Sequence, residues 1–220
     1  MNLLLFFLQS SVIASASLVA LKLGKEALVA LASLLCILSN LFILKQITLC
    51  GLHVTAADSF TIGSILCIHL LQEYFGKEIA KKAIWICFLG LIFYTGISQI
   101  HLWYTPSIVD TQQLHFYALL RFAPRITLAS LIVYFSVLQL DRYLYEKLKQ
   151  NYGKIPTAWR NFSVLAVSQL IDTILFSFLG LYGIVNNITQ IILFSYIVKM
   201  SATLITTPFM ILSKQIKGGN

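Results

Sequence analysis

The sequence predicts an all-α polytopic membrane bundle, with a six-helix core, an added N-terminal helix, the N-terminus outside and the C-terminus inside. Three observations carry this. Only 11% of the 220 residues are charged and mean hydropathy is +0.84, whereas a soluble domain carries about 25% charged residues. The apolar residues form continuous runs close to the ~20 residues that a spanning helix needs. They do not alternate in ten-residue segments as barrel strands do, so helices are the expected solution for a backbone in lipid. Finally, the basic residues gather in alternate connections.

Seven spans follow in order. The first, 3–21, is apolar with small residues around Ser15 and Ala16 but lacks the basic leader of a cleaved signal, so a retained helix is expected. The second, 27–49, carries Asn40 and ends near Lys45. The third, 55–75, begins by Asp58 and carries His69, Gln72 and Glu73. The fourth, 83–104, is almost wholly apolar, and the fifth, 117–140, places Arg121 and Arg125 one turn apart around Pro124. The sixth, 162–184, sets Gln169, Asp172, Thr173 and Phe176 on one face, and the seventh, 189–212, does the same for Lys199 and Thr203. These spans use most of the chain as one membrane domain: residues 1–26 a peripheral helix, 27–212 the core, 213–220 a cytoplasmic tail.

Net charge is +8, yet twelve of the sixteen Lys and Arg lie in the connections expected inside: Lys22, Lys25, Lys77, Lys81, Lys82, Arg142, Lys147, Lys149, Lys154, Arg160, Lys214 and Lys217. The outer connections WYTPSIVDTQQ and YGIVNNITQ hold none. That asymmetry is the positive-inside pattern. It accounts for the basic excess without a nucleic-acid partner.

Several chemistries have no motif here. No P-loop, HExxH or GxSxG occurs, and Cys36, Cys50, Cys67 and Cys87 lack metal-ligand spacing. No cofactor and no metal are expected. What remains is a set of ionisable residues inside apolar spans, each costing about 2.5–3.5 kcal/mol on the insertion scale. Lys45, Arg121, Arg125 and Lys199 are the misplaced cations; Asp58, Asp172 and Glu73 are the misplaced acids. Any one of them could be a structural pair, with Asn40 and Gln169 as polar contacts between helices. Together they imply a shared hydrated cavity.

The run NLFILKQITLCGLHVTAADSFTIGSILCIHLLQEYFGKEIAKKA, residues 40–83, resembles the family of vitamin-uptake or queuosine-precursor transporters of bacterial inner membranes. RITLAS at 125–130, then LDRYLYEKLK, SQLIDTILFSF and YIVKMSATLITTPFMIL follow in the family's order, so the resemblance spans 27–212. It implies import of a 7-deazaguanine base (preQ0, preQ1 or queuine) for tRNA modification, by alternating access through a central polar site. The matched positions are Asn40, Glu73, Arg125, Asp172 and Lys199, while His69 stands where many members carry aspartate. Lys45 and Asp58 match a subset of the family. A carboxylate can accept two donors from the base's guanidine-like edge, a role for Asp172 or Glu73. Arg125 or Lys199 would serve the carbonyl, Asn40 and Gln169 the remaining polar atoms, and Phe176 a stacking face. Asp58, expected near the outer mouth, is the candidate for the amine that preQ1 and queuine carry and preQ0 lacks.

The expected partners are therefore the small base and the lipid bilayer, with a homodimer left open. Alternative readings are a substrate-capturing subunit of an ATP-driven importer, an intramembrane enzyme using Glu73, Asp172 and His69, and a structural membrane protein.

Overall fold

The computed structural model describes residues 1–49, 51–151 and 157–201. Cys50, Lys154, Thr203, Lys214 and Lys217, and with them the tail, lie outside the described residues.

The chain is helical almost throughout. Helix α1 spans Asn2–Leu23 and α2 spans Lys25–Phe42. A hairpin follows, β1 (Gln46–Leu49) paired antiparallel with β2 (Leu52–Thr55). Next come α3 (Asp58–Phe75), α4 (Lys77–Leu102), α5 (Gln113–Leu120) and α6 (Ala123–Asn151). Helix α7 (Thr157–Phe176) widens into a π-helical turn, Ser177–Leu181, and α8 occupies Ile188–Ser201. Among the described residues, five stretches are long and apolar enough to cross a membrane: α1, α2, α4, Gln113–Leu140 and Ser163–Leu181. Helix α3 has the length, but Asp58, His69, Gln72 and Glu73 dilute its hydropathy. The described part of α8 is shorter. The protein is an all-α polytopic membrane bundle.

Four boundaries differ from the sequence reading. The second span does not run to residue 49: α2 stops at Phe42 and the chain turns into the hairpin. The segment QITLCGLHVT is apolar enough to pass for helix, yet its β-branched residues and Gly51 (φ 82) suit a paired turn. Pairing satisfies the inward half of its backbone, while Asn2 and Gln190 meet Thr48 O and the His53 amide on the outer edges. The fifth span is broken by a turn at Arg121 and Phe122, so Arg121 and Arg125 do not share a continuous helix. Pro124 sits in the first turn of α6, where a missing N–H costs nothing. Lys77, Lys81 and Lys82 lie on the first turns of α4 rather than in a loop. The apolar sixth span ends in the π turn rather than as a regular helix.

Gly24 (φ 116) and Gly76 (φ 92) are the one-residue joints between α1 and α2 and between α3 and α4. Each takes a backbone conformation that side chains resist. The chain can therefore reverse between long helices without a loop, which keeps α1–α4 in direct register. Their interface is dry: Leu28, Ala32, Leu70, Leu71 and Ala83 are fully buried, and Ile13 and Leu21 of α1 join the same cluster. Gly63 of α3 lets α1 approach, since a Cβ there would lie 2.2 Å from Ile13 Cγ2. In lipid such small-residue contacts, rather than exclusion of water, hold helices together. Leu4, Phe7, Leu89 and Phe93 face outward from the bundle, as lipid contact permits.

The end assigned to the outside is tied by hydrogen bonds across distant segments. Asn2 Nδ2 donates to Thr48 O at 3.1 Å. The His53 amide donates to Gln190 Oε1 at 2.9 Å, and the Asn186 amide to Gln46 Oε1 at 3.2 Å. The hairpin thus covers this end of the bundle beside the α7–α8 connection.

Candidate functional site

Below the hairpin lies a cavity of about 240 Å³. Its wall comes from α2, α3, α4, α6, α7 and α8, with Thr55 closing from the hairpin. Two carboxylates face it, Asp58 and Asp172, together with the ammonium of Lys199.

Each charged group is placed by a local feature. Asp58 is the first residue of α3, where the positive end of the helix dipole favours an anion. It is 7% exposed, and the Ser195 hydroxyl of α8 donates to it, lying 3.0 Å from both carboxylate oxygens. Asp172 lies on α7 in a short, direct ion pair with Lys199 of α8. Lys199 also donates to Thr173 Oγ1 at 3.3 Å, and that hydroxyl donates to Gln169 O at 2.8 Å. Ser195 and Lys199, four residues apart on α8, therefore reach two carboxylates on two different helices.

The remaining wall mixes hydroxyls with apolar surface. Ser39 and Thr61 share a hydrogen bond of 2.7 Å between α2 and α3. Asn40 Nδ2 donates to Cys36 O at 3.1 Å, while Asn40 Oδ1 is buried with no protein partner. Because the amide nitrogen is taken by a carbonyl, Asn40 offers an acceptor. Phe176, Phe88 and Tyr134 supply aromatic surface.

Of the residues singled out in the sequence, Asn40, Asp58, Asp172, Lys199 and Phe176 line this cavity, whereas Lys45, His69, Glu73, Arg125 and Gln169 do not. Lys45 is exposed at the foot of the hairpin, Glu73 is exposed near the end of α3, and His69 is half-buried along that helix. Gln169 contributes its backbone oxygen to Thr173. Arg125 turns to the backbone instead. Its Nε donates to Leu179 O and its Nη2 to Tyr182 O, both at 2.8 Å. These carbonyls are left free where the helix widens and ends, and a planar cation is suited to bridging them. Arg121 lies over the rings of Phe122 and Tyr117, at 4.4 and 5.6 Å. Sequence reading missed Ser195, whose signal was its position one turn before Lys199.

Residues 55–213 match the family described as "Putative vitamin uptake transporter". The chain belongs to this family. It is also 29% identical, over 197 residues, to a Bacillus subtilis (strain 168) protein named "Probable queuosine precursor transporter"; the match covers 88% of this chain and 86% of that relative. No solved structure matches significantly. Membership of the vitamin uptake transporter family, with the apolar helices, makes this a multi-pass membrane transporter rather than an enzyme. The matched region includes Asp58, Arg125, Asp172 and Lys199.

Proposed function

We propose that this chain imports a queuosine precursor, a 7-deazaguanine base, across a bacterial inner membrane by alternating access through the cavity. The observation that carries the reading is the meeting of Asp58, Asp172 and Lys199 on one cavity wall with Asn40 and Phe176. A deazaguanine edge offers adjacent N–H donors and a carbonyl. Asp172 supplies a two-oxygen acceptor for the donors, Lys199 a donor for the carbonyl, and Asn40 Oδ1 a further acceptor. Phe176 offers a ring face.

Size narrows the choice. Ligand pockets commonly measure about 300–1,000 Å³, and 240 Å³ is below that range. A bare fused-ring base suits this volume better than queuine with its extra ring. Without ligand, Lys199 neutralises Asp172, so that the carboxylate is never left alone in a low-dielectric wall. Ligand donors would replace the ammonium at Asp172 as Lys199 turns to the ligand carbonyl. Arg125 holds the π turn that carries Ser177 and Leu181 of the wall, a positioning role.

The test is uptake of labelled preQ1, preQ0 and queuine in a host that lacks its own transporter and cannot make the precursors. Wild type is expected to accumulate label, and Asp172→Asn at matched membrane levels is expected to lose it. No uptake by correctly folded wild type would overturn the assignment of substrate.

A further inference from the structure

The two carboxylates of the cavity are not in equivalent states. Asp172 has an ammonium in direct contact. Asp58, although 7% exposed, has no cation within 4.0 Å among the described residues. Its hydrogen-bond donors are hydroxyls alone among the described residues: Ser195, shared between both oxygens, and Thr55. Lys199 acts on it through space while donating to Asp172 and Thr173. A carboxylate accepts at about four sites, so two neutral hydroxyls leave Asp58 with capacity to spare and its charge without a direct cation. Carboxylates removed from solvent are normally paired with a cation or fully hydrogen-bonded.

We infer that Asp58 and Ser195 form a subsite of this cavity for a protonated amine on the transported ligand. The inference rests on the transport reading above and adds to it the feature by which ligands are told apart. The wall around Asp58 could accommodate such a group: the Thr55 and Ser195 hydroxyls each keep lone pairs that can accept from an ammonium while they donate to Asp58. Asp172 and Lys199 remain for the ring edge, so the two carboxylates divide the ligand between them. A ligand with an aminomethyl group on its ring gains a charge-assisted contact at Asp58. A ligand of the same shape with a nitrile gains nothing there and leaves Asp58 without a cation.

The experiment measures binding to the full-length protein purified in detergent. Two pairs are compared: 7-aminomethyl- and 7-cyano-7-deazaguanine, and benzylamine with benzonitrile as probes lacking the base. Wild type should bind the aminomethyl base at least about tenfold more tightly than the cyano base, the scale of one hydrogen bond to a charged group. Asp58→Asn should remove that preference, bringing the two bases to within about threefold of each other, less than such a bond is worth. Wild-type affinities alone decide the matter if the variant does not fold: equal affinity for both bases overturns the subsite. Loss of both bases by equal factors in Asp58→Asn also overturns it. So does stabilisation of wild type, but not Asp58→Asn, by sodium measured against choline, because the subsite would then hold a metal cation. If benzylamine binds through Asp58 while neither deazaguanine binds, the amine subsite stands and the precursor assignment falls. If both deazaguanines bind alike and without regard to Asp58, the precursor assignment stands and the subsite falls.

Discussion

The α1–α4 half of the bundle and the wall where α3, α7 and α8 meet are built on opposite plans. In the first, Leu28, Ala32, Leu70 and Ala83 pack with almost no exposed surface, and the closest approach depends on the missing side chain of Gly63. In the second, helices are joined by Ser195–Asp58 and Lys199–Asp172 around a space. Close packing is a single solution that tolerates little change. A polar contact across a cavity can be exchanged for a contact with a ligand. A transporter needs both, a rigid part to move against and a part whose contacts can be replaced.

The largest expected effect lies in the dry half. Gly63→Leu forces atoms onto Ile13 and Leu35, and overpacking of this kind costs about 1–3 kcal/mol or more. Gly96→Leu, with nothing within 4 Å of its Cβ, should leave stability near wild type. Unfolding temperatures of the purified variants compare the two. Equal stability would mean that α1 does not sit in the α3 groove, and the contrast would collapse.

Next comes the ion pair. Asp172→Asn or Lys199→Met alone strands one buried partner and should destabilise by about 1–3 kcal/mol, reduced by the partial exposure of both side chains, 26% and 14%. The double variant should regain most of that stability but no transport. Recovery of transport along with stability would make the pair a strut and dissolve the difference between the halves.

The smallest effect belongs to Arg125. Arg125→Lys loses the planar two-carbonyl contact and should cost about 0.5–1.5 kcal/mol, the net worth of an ordinary hydrogen bond. Because it positions the wall without touching the cavity, faster amide exchange at Tyr182, Gly183 and Ile184 should accompany a reduced maximal rate, with substrate affinity preserved. A change in affinity alone would place Arg125 in the binding wall.

Much of this was legible in residues. Ionisable positions in apolar spans drew notice because lipid makes such residues costly wherever they lack a purpose. Asp58, Asp172 and Lys199 line one cavity with Asn40, whereas Lys45, Glu73, Arg121 and Arg125 do not. The hairpin was not legible, since a ten-residue, largely apolar stretch after a helix looks the same whether it continues the helix or folds back. Arg125 was grouped with the cavity because a cation in a span reads alike whether it faces a carboxylate or carbonyls. Ser195 was passed over because a serine in an apolar helix carries no cost that would draw notice.

By itself the sequence determined the solvent and the helical class. Those follow from run length and backbone hydrogen bonding, both properties of the chain read in order. Tertiary structure alone decided that Lys199 and not Arg125 would meet Asp172, that Asp58 would be left to the hydroxyls of Ser195 and Thr55, and that Gly63 would receive α1. Each of these choices depends on which helix faces share a boundary. That is set by the packing of residues far apart along the chain, where no local pattern records the partner.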